Sequence, residues 1–248
     1  MPTPKPQRRF DLLRTTGRDL RQNWRILVSV VAIVAVPIAI LTTVANGDAT
    51  VATYASIATL IMNLALIWAV VQAKAGKPIR LKQAYFEGTV SFVRFVLMAM
   101  VLALQFIPFT IGIIIYVLGT SGATVTVTGP EQLLLGLLAI ILALPTVFWL
   151  TRYAFSPYAL VEDDLEPIAA LRRSKAVTAG NFWLVLRQLF VLMALLIIIV
   201  IIPSLITAVT GGVGGTWLVG VLQLLVTLIL LPFLNLYLYN LYASLKTD

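Results

Sequence analysis

Residues 51–73, VATYASIATLIMNLALIWAVVQA, contain no charged side chain and form one uninterrupted apolar stretch. An α-helix rises about 1.5 Å per residue, so roughly 20 apolar residues cross the hydrocarbon core of a bilayer. Five more stretches of this kind follow or precede it. The six predicted spans cover residues 26–45, 51–73, 95–118, 132–150, 189–209 and 217–239. Lipid tolerates only helices or closed barrels, and the alternation that a barrel needs is missing, so the sequence predicts an all-α, polytopic fold.

The overall composition supports the same interpretation. Of 248 residues, 60% are hydrophobic and 11% are charged, and the mean hydropathy is +0.99. Soluble domains are about half apolar and a quarter charged. The longest polar segments, 1–25, 74–94 and 151–183, are each shorter than the roughly 40 residues that an independent core needs. The first apolar run exceeds the 7 to 15 residues of a signal peptide, so we expect an uncleaved span.

The chain contains no histidine and no cysteine. Thiolate nucleophiles, Ser-His pairs and His- or Cys-ligated metal sites therefore cannot be built from it. No carboxylate pair or other recognisable catalytic arrangement replaces them. We expect no enzymatic activity, no cofactor and no metal.

The positions of the charges predict the orientation. All 18 Lys and Arg residues lie in 1–25, 74–94, 151–187 or at Lys246, whereas the other three connections carry only Asp48 and Glu131. Short cytoplasmic loops retain basic residues. The sequence therefore predicts a multi-pass protein of the cytoplasmic membrane with both termini inside the cell.

Residues 1–25 are predicted to form a cytoplasmic amphipathic helix ahead of a membrane domain at 26–248. Apolar and small residues recur there every three or four positions (Phe10, Leu13, Gly17, Leu20 and Trp24). Such a helix can lie in the headgroup layer. We expect Arg14, Arg18, Arg21 and Trp24 to contact anionic lipid headgroups, which makes membrane lipids the predicted partners and excludes nucleic acid.

A spacing recurs three times. A leucine followed by a basic residue precedes an aromatic residue by eleven positions, at Leu13 and Trp24, Leu81 and Phe92, and Leu171 and Phe182. The pattern fits three repeated units of surface helix plus hairpin. It also fits the ordinary preference for basic and aromatic residues where a span leaves the cytoplasmic surface.

The connection at 157–183, PYALVEDDLEPIAALRRSKAVTAGNFW, carries the clearest local signals. Acidic residues precede Pro167, which is tolerated in the first turn of a helix, and Gly180 with Asn181 is a typical stop. These signals predict a short cytoplasmic helix at 166–180. The acidic run 162–166 could hold a divalent cation, or it could simply form the solvated start of this helix.

The same connection resembles the hallmark segment of the six-helix membrane domain that is fused to some bacterial glycerophosphoryl diester phosphodiesterases and also occurs in related inner-membrane proteins. The matching positions are Glu162, Ala170, Leu171, Arg172, Ser174, Thr178, Gly180, Asn181, Phe182 and Trp183. The resemblance implies the membrane domain alone. The phosphodiesterase activity of the fused proteins belongs to a separate soluble domain that uses histidines and metal-binding carboxylates.

Inside the predicted spans the polar residues are amides: Asn63, Gln105, Gln223 and Asn235, with Asn240 near the inner surface. Amides in membranes commonly bond helix to helix, although they can also line a substrate path. No ionisable residue is expected at mid-membrane, which disfavours an ion-coupled pump. Prolines in five spans (Pro37, Pro108, Pro145, Pro203 and Pro232) predict static kinks or, alternatively, the broken helices of a transporter.

These observations favour a non-catalytic scaffold or partner module of the bacterial cytoplasmic membrane, with a membrane-protein partner and with lipid or envelope homeostasis as one candidate setting. The alternative is a transporter or permease subunit for a small or lipid-like solute that is not coupled to ions through a mid-membrane charge.

Overall fold

A computed structural model of the chain describes residues 9–44, 49–120, 129–209 and 215–246. Within these ranges the protein is all-helical, with no strand, which confirms the predicted fold class. The connection that carries Asp48, and the side chains of Phe10, Pro203 and Gln223, lie outside the described part. The described helices are α1 (Arg9–Val44), α2 (Ala49–Lys74), α3 (Leu81–Val90), α4 (Phe92–Leu104), α5 (Ile107–Thr120), α6 (Gly129–Tyr153), α7 (Ser156–Glu162), α8 (Pro167–Thr178), α9 (Phe182–Val209) and α10 (Gly215–Lys246).

Four segments are long and apolar enough to cross a membrane: Leu12–Leu41, Ala49–Lys74, Gly129–Glu162 and Leu224–Lys246. Two bent helix pairs raise the number to six if each pair counts as one span. These are α3 with α4, bent by 58°, and α8 with the first part of α9, bent by 104°. The described residues thus have the helices of a multi-pass membrane protein with four to six spans.

The third predicted span is interrupted. Residues 95–118 were expected to form one helix, but α4 ends at Leu104 and α5 begins at Ile107. Pro108 lies in the first turn of α5, where its missing N–H costs little but prevents α4 from continuing. The Thr146 hydroxyl of α6 donates to the Gln105 carbonyl at 2.9 Å, so the break also has a tertiary partner.

The N-terminal helix and the first span are continuous. No proline or glycine lies between Gly17 and Pro37, on either side of the predicted boundary at residue 25, and α1 runs without a break from Arg9 to Val44. The predicted surface helix is therefore the first half of a 36-residue helix. In the other two units of the recurring spacing, Phe92 and Phe182 each begin a new helix after a bend, whereas Trp24 lies inside α1.

The buried core is formed mainly by α1, α2, α7 and α10. α1 packs along both α2 and α10, so the first and last helices of the chain are neighbours. α3 lies on α2 at Gly88, where an added Cβ would come within 2.9 Å of the Ala65 nitrogen. The Tyr85 hydroxyl of α3 also donates to the Val30 carbonyl of α1.

α5 and α6 form a hairpin that projects from this core. Glycine permits close packing at Gly112, where an added Cβ would lie 3.2 Å from the Ala139 Cα. Elsewhere α6 contacts α8 and α9, through its last turns near Phe148 and Arg152. Only 6% of its most apolar window is buried, against 44% for α2. We call this pair the α5–α6 hairpin, and most of its apolar side chains are exposed or only partly buried in the described chain.

Candidate functional site

The ends of several helices meet where the basic residues lie. Lys74 at the end of α2 pairs with Asp19 of α1 at 2.8 Å, and Arg94 of α4 pairs with Asp164 at 2.7 Å. Lys246 at the end of α10 reaches Asp163 at 2.8 Å. We call this part of the molecule the basic end. Ion pairs there connect segments that are far apart in sequence.

The break between α6 and α7 is held by hydroxyl groups. Pro157 has no N–H to donate to the Tyr153 carbonyl, and the Ser156 hydroxyl donates to that carbonyl at 2.7 Å instead. From α8, the Ser174 hydroxyl donates to the Arg152 carbonyl at 2.8 Å and accepts the Phe155 N–H at 3.2 Å. Ser174 is fully buried, and its hydroxyl satisfies the buried Phe155 N–H and the partly buried Arg152 carbonyl.

Thr178 extends the same contact one turn later. Its hydroxyl donates to the Ser174 carbonyl at 2.8 Å and lies 3.5 Å from the Arg152 carbonyl. Ala170 and Leu171 are buried on the same side of α8, whereas Arg172 is exposed. Five of the ten family-like positions (Ala170, Leu171, Arg172, Ser174 and Thr178) thus belong to α8, and the buried ones dock it onto the end of α6.

Four of the other five matching positions end α8 and begin α9, whereas the fifth, Glu162, is the last residue of α7. Gly180 has φ +86°, the left-handed conformation that glycine adopts most readily, so the predicted stop lies where expected. The Asn181 carbonyl accepts the Val185 N–H at 3.0 Å in the first turn of α9. Phe182 packs against Phe148 with ring centroids 5.3 Å apart, while Trp183 is 78% exposed.

The acidic run is engaged by basic side chains. Glu162 and Asp163 lie 3.1 and 2.8 Å from the Lys246 ammonium, and Arg173 approaches Asp163 at 3.9 Å. Glu166 precedes Pro167 as the N-cap residue of α8, and its side chain makes no capping hydrogen bond. The run therefore joins α7, α8 and α10 rather than forming only a solvated helix start. Within the described residues no group of three or more His, Cys, Asp or Glu side chains could hold a metal ion.

Aromatic residues pack beneath this ion-pair cluster. Tyr158 lies 5.8 Å from Tyr239 and 6.4 Å from Tyr242, measured between ring centroids. The Tyr158 hydroxyl donates to the Asn235 side-chain oxygen at 3.1 Å. Tyr158 is almost completely buried, so this hydrogen bond satisfies a polar group inside the core. The predicted helix-to-helix role of Asn235 is thus confirmed.

The first half of α1 has two different faces. Arg14, Arg18 and Arg21 are exposed, and Trp24 is 52% exposed. These residues are free of the bundle, and their contact with lipid headgroups stays a prediction.

The opposite face of α1 is polar and buried, which the sequence pattern did not indicate. The Asn240 amide of α10 donates to the Thr16 hydroxyl at 3.1 Å and to the Asp19 carboxylate at 3.0 Å. Asp19 also holds Lys74, so one carboxylate joins α1, α2 and α10. The spacing of Leu12, Thr16 and Asp19 on one helical face was the available signal.

The structure also contains two neighbouring cavities between the first two helices. The first has a volume of about 400 Å³ and is lined by apolar residues of α1 and α2, from Ile33 to Leu41 and from Val51 to Ala58. The second has a volume of about 370 Å³ and adds α10, and it contains Asn63. Ile38 lines both cavities. We call the two together the α1–α2 cleft.

No protein-family model, curated protein or solved structure matches this chain. The interpretation of the site therefore depends on its own geometry.

Proposed function

We propose that the protein is a non-catalytic module of the bacterial cytoplasmic membrane that holds a partner membrane protein, in line with the resemblance carried by residues 160–183. It spans the membrane six times with both termini in the cytoplasm. The observation that carries this proposal is the α5–α6 hairpin. Its two helices pack on each other, and α6 contacts α8 and α9 near its Phe148–Arg152 end.

Helix association inside a bilayer relies on side-chain packing, because lipid is as apolar as the helices themselves. Exposed apolar side chains on both helices of the hairpin, such as Ile114, Leu133 and Ile140, leave a packing surface for the span of another protein. α8 and the start of α9 contact the hairpin at its base, through Ser174 and Phe182. A rigid base with an open hairpin suits a docking role better than a catalytic one.

The test is site-specific photo-crosslinking in native membranes. A photoreactive amino acid replaces Ile140, which is 65% exposed on α6, and the matched control replaces Ile229, which is 61% exposed on α10. We expect an adduct of one defined mass at position 140 that contains a second membrane protein. The control position is expected to give lipid adducts alone.

Two outcomes would contradict the proposal. Lipid adducts alone at both positions would mean that the hairpin faces bulk bilayer. An adduct at position 140 that contains only a second copy of this chain would indicate self-association in place of a scaffold for another protein.

A further inference from the structure

The α1–α2 cleft contains a polar acceptor that the protein leaves unused. The Asn63 amide nitrogen donates to the Thr59 carbonyl of its own helix at 2.9 Å. Its side-chain oxygen accepts no hydrogen bond within the described residues, yet Asn63 lines the cavity of about 370 Å³. An amide oxygen without a donor is unfavourable in an apolar environment.

The rest of the cleft is apolar and uncharged. Among the described residues no charged side chain lines either cavity, and the described lining of the larger one consists of hydrocarbon and the Tyr54 ring. The lining of the smaller cavity also includes Thr59 and Thr227. Such a site favours a neutral molecule that is mostly hydrocarbon and has one donor group.

The cleft also has a route from the bilayer. Ile33 and Leu41, which lie along the larger cavity on α1, are each about half exposed, and Tyr54 on α2 is 73% exposed. Pro37 lies in α1 between Ile33 and Leu41. It has no N–H to donate to the Ile33 carbonyl, so α1 lacks one backbone hydrogen bond beside the cleft. A hydrocarbon chain can therefore enter sideways from the membrane.

We propose that the α1–α2 cleft binds a neutral, hydroxyl-bearing lipid molecule. Its hydroxyl donates to the Asn63 side-chain oxygen, and its hydrocarbon chain occupies the larger cavity between Pro37 and Tyr54. This site is separate from the α5–α6 hairpin, so the proposed partner and the proposed lipid can fail independently.

The test uses a long-chain primary alcohol that carries a photoactivatable diazirine, added to the full-length protein in vesicles of zwitterionic phospholipid. The methyl ether of the same alcohol keeps the chain and the oxygen but cannot donate a hydrogen bond. We expect the alcohol to label peptides of α1, α2 and α10, and to do so about fivefold more than the ether, as one neutral hydrogen bond allows.

Two variants distinguish the contribution of the Asn63 hydrogen bond from that of the cavity volume. Asn63→Leu is expected to reduce labelling by the alcohol about fivefold, to the level of the ether. Ala35→Phe keeps Asn63 but fills the smaller cavity, and it should reduce labelling as well. Ser56→Ala is the matched control, because Ser56 is an exposed polar residue of α2 that does not line the cleft.

Equal labelling by alcohol and ether in the unaltered protein would overturn the proposal, because the cleft would then hold bulk lipid or water. Labelling that stays unchanged in Asn63→Leu would overturn it too. If Asn63→Leu loses its fold, as judged by thermal unfolding, the alcohol-to-ether ratio in the unaltered protein and in Ala35→Phe still decides the question.

Discussion

At the residue scale, the hydrogen bonds of Ser174 explain how the break between α6 and α7 is stabilised. Its hydroxyl satisfies both a carbonyl at the end of α6 and an N–H at the start of α7, across a break that Pro157 imposes. Without that hydroxyl, the buried Phe155 N–H loses its side-chain partner, and the Arg152 carbonyl keeps only the Thr178 hydroxyl at 3.5 Å. The resemblance singled out Ser174 and Thr178 from the sequence. Their partners could not be identified in this way, because a backbone carbonyl has no sequence signature.

Ser174→Ala should therefore destabilise the protein by about 1 to 3 kcal/mol, the usual cost of leaving buried polar groups unpaired. Thermal unfolding in detergent measures the effect. Ser56→Ala serves as the control, since Ser56 is an exposed helical serine that bonds only to the preceding turn of its own helix. Both changes gain the same helix propensity, so the difference between them isolates the tertiary hydrogen bonds. Equal unfolding temperatures would show that Ser174 contributes nothing across the break.

At the scale of helices, the local signals located some ends well and missed others. Pro167 and Gly180 mark the two ends of α8 within two residues, because capping and left-handed backbone are local properties. The local pattern does not predict α7, because residues 151–165 fall within the polar segment 151–183. Tyr158 and Leu160 of α7 are buried against the core, so this short helix depends on tertiary packing that a local pattern does not contain.

The contact between α2 and α3 gives the second prediction. An added Cβ at Gly88 would meet the backbone of Ala65 at 2.9 Å, and backbone cannot move aside like the end of a flexible side chain. Gly88→Ala should therefore push α3 away from α2 and cost about 1 to 3 kcal/mol. The thermal unfolding temperature should fall accordingly.

Gly17→Ala is the matched control for this change. Gly17 is a glycine inside α1 with nothing within 4 Å of an added Cβ. Alanine there is expected to stabilise the helix by about 0.5 to 1 kcal/mol, because glycine loses more backbone entropy on folding. Opposite signs for the two substitutions are the expected result. A stabilising effect at both positions would mean that α3 does not pack closely on α2.

At the scale of the whole molecule, the apolar runs predicted the helices because the length and hydropathy of a span depend only on its own residues. The neighbours of each span were not predictable. Asn240 of α10 joins Thr16 and Asp19 of α1, which lie more than 200 residues earlier in the sequence. The sequence predicts that Asn240 lies near the inner surface. It does not predict that α1 is its partner, because a polar contact between residues so far apart in sequence has no local pattern.

The number of spans decides on which side of the membrane the middle of the chain lies, and this can be measured directly. With six spans and the proposed cytoplasmic N-terminus, Glu131 at the start of α6 lies outside the cell and Arg172 on α8 lies inside. If α3, α4 and α5 together do not cross, and α8 and α9 do not cross, four spans remain and both positions exchange sides. The interruption between α4 and α5 makes this the critical alternative.

The chain contains no cysteine, so single-cysteine variants need no prior replacement of native residues. We expect Glu131→Cys to react with a membrane-impermeant maleimide in spheroplasts, whose cytoplasmic membrane is intact. Arg172→Cys and Lys77→Cys should react only after the membrane is permeabilised, because short loops rich in Lys and Arg stay in the cytoplasm. Lys77 is the reference, since it follows two uninterrupted spans and is expected inside with either four or six crossings. Labelling of Arg172→Cys but not of Glu131→Cys in intact spheroplasts would establish four spans and would place the α5–α6 turn in the cytoplasm.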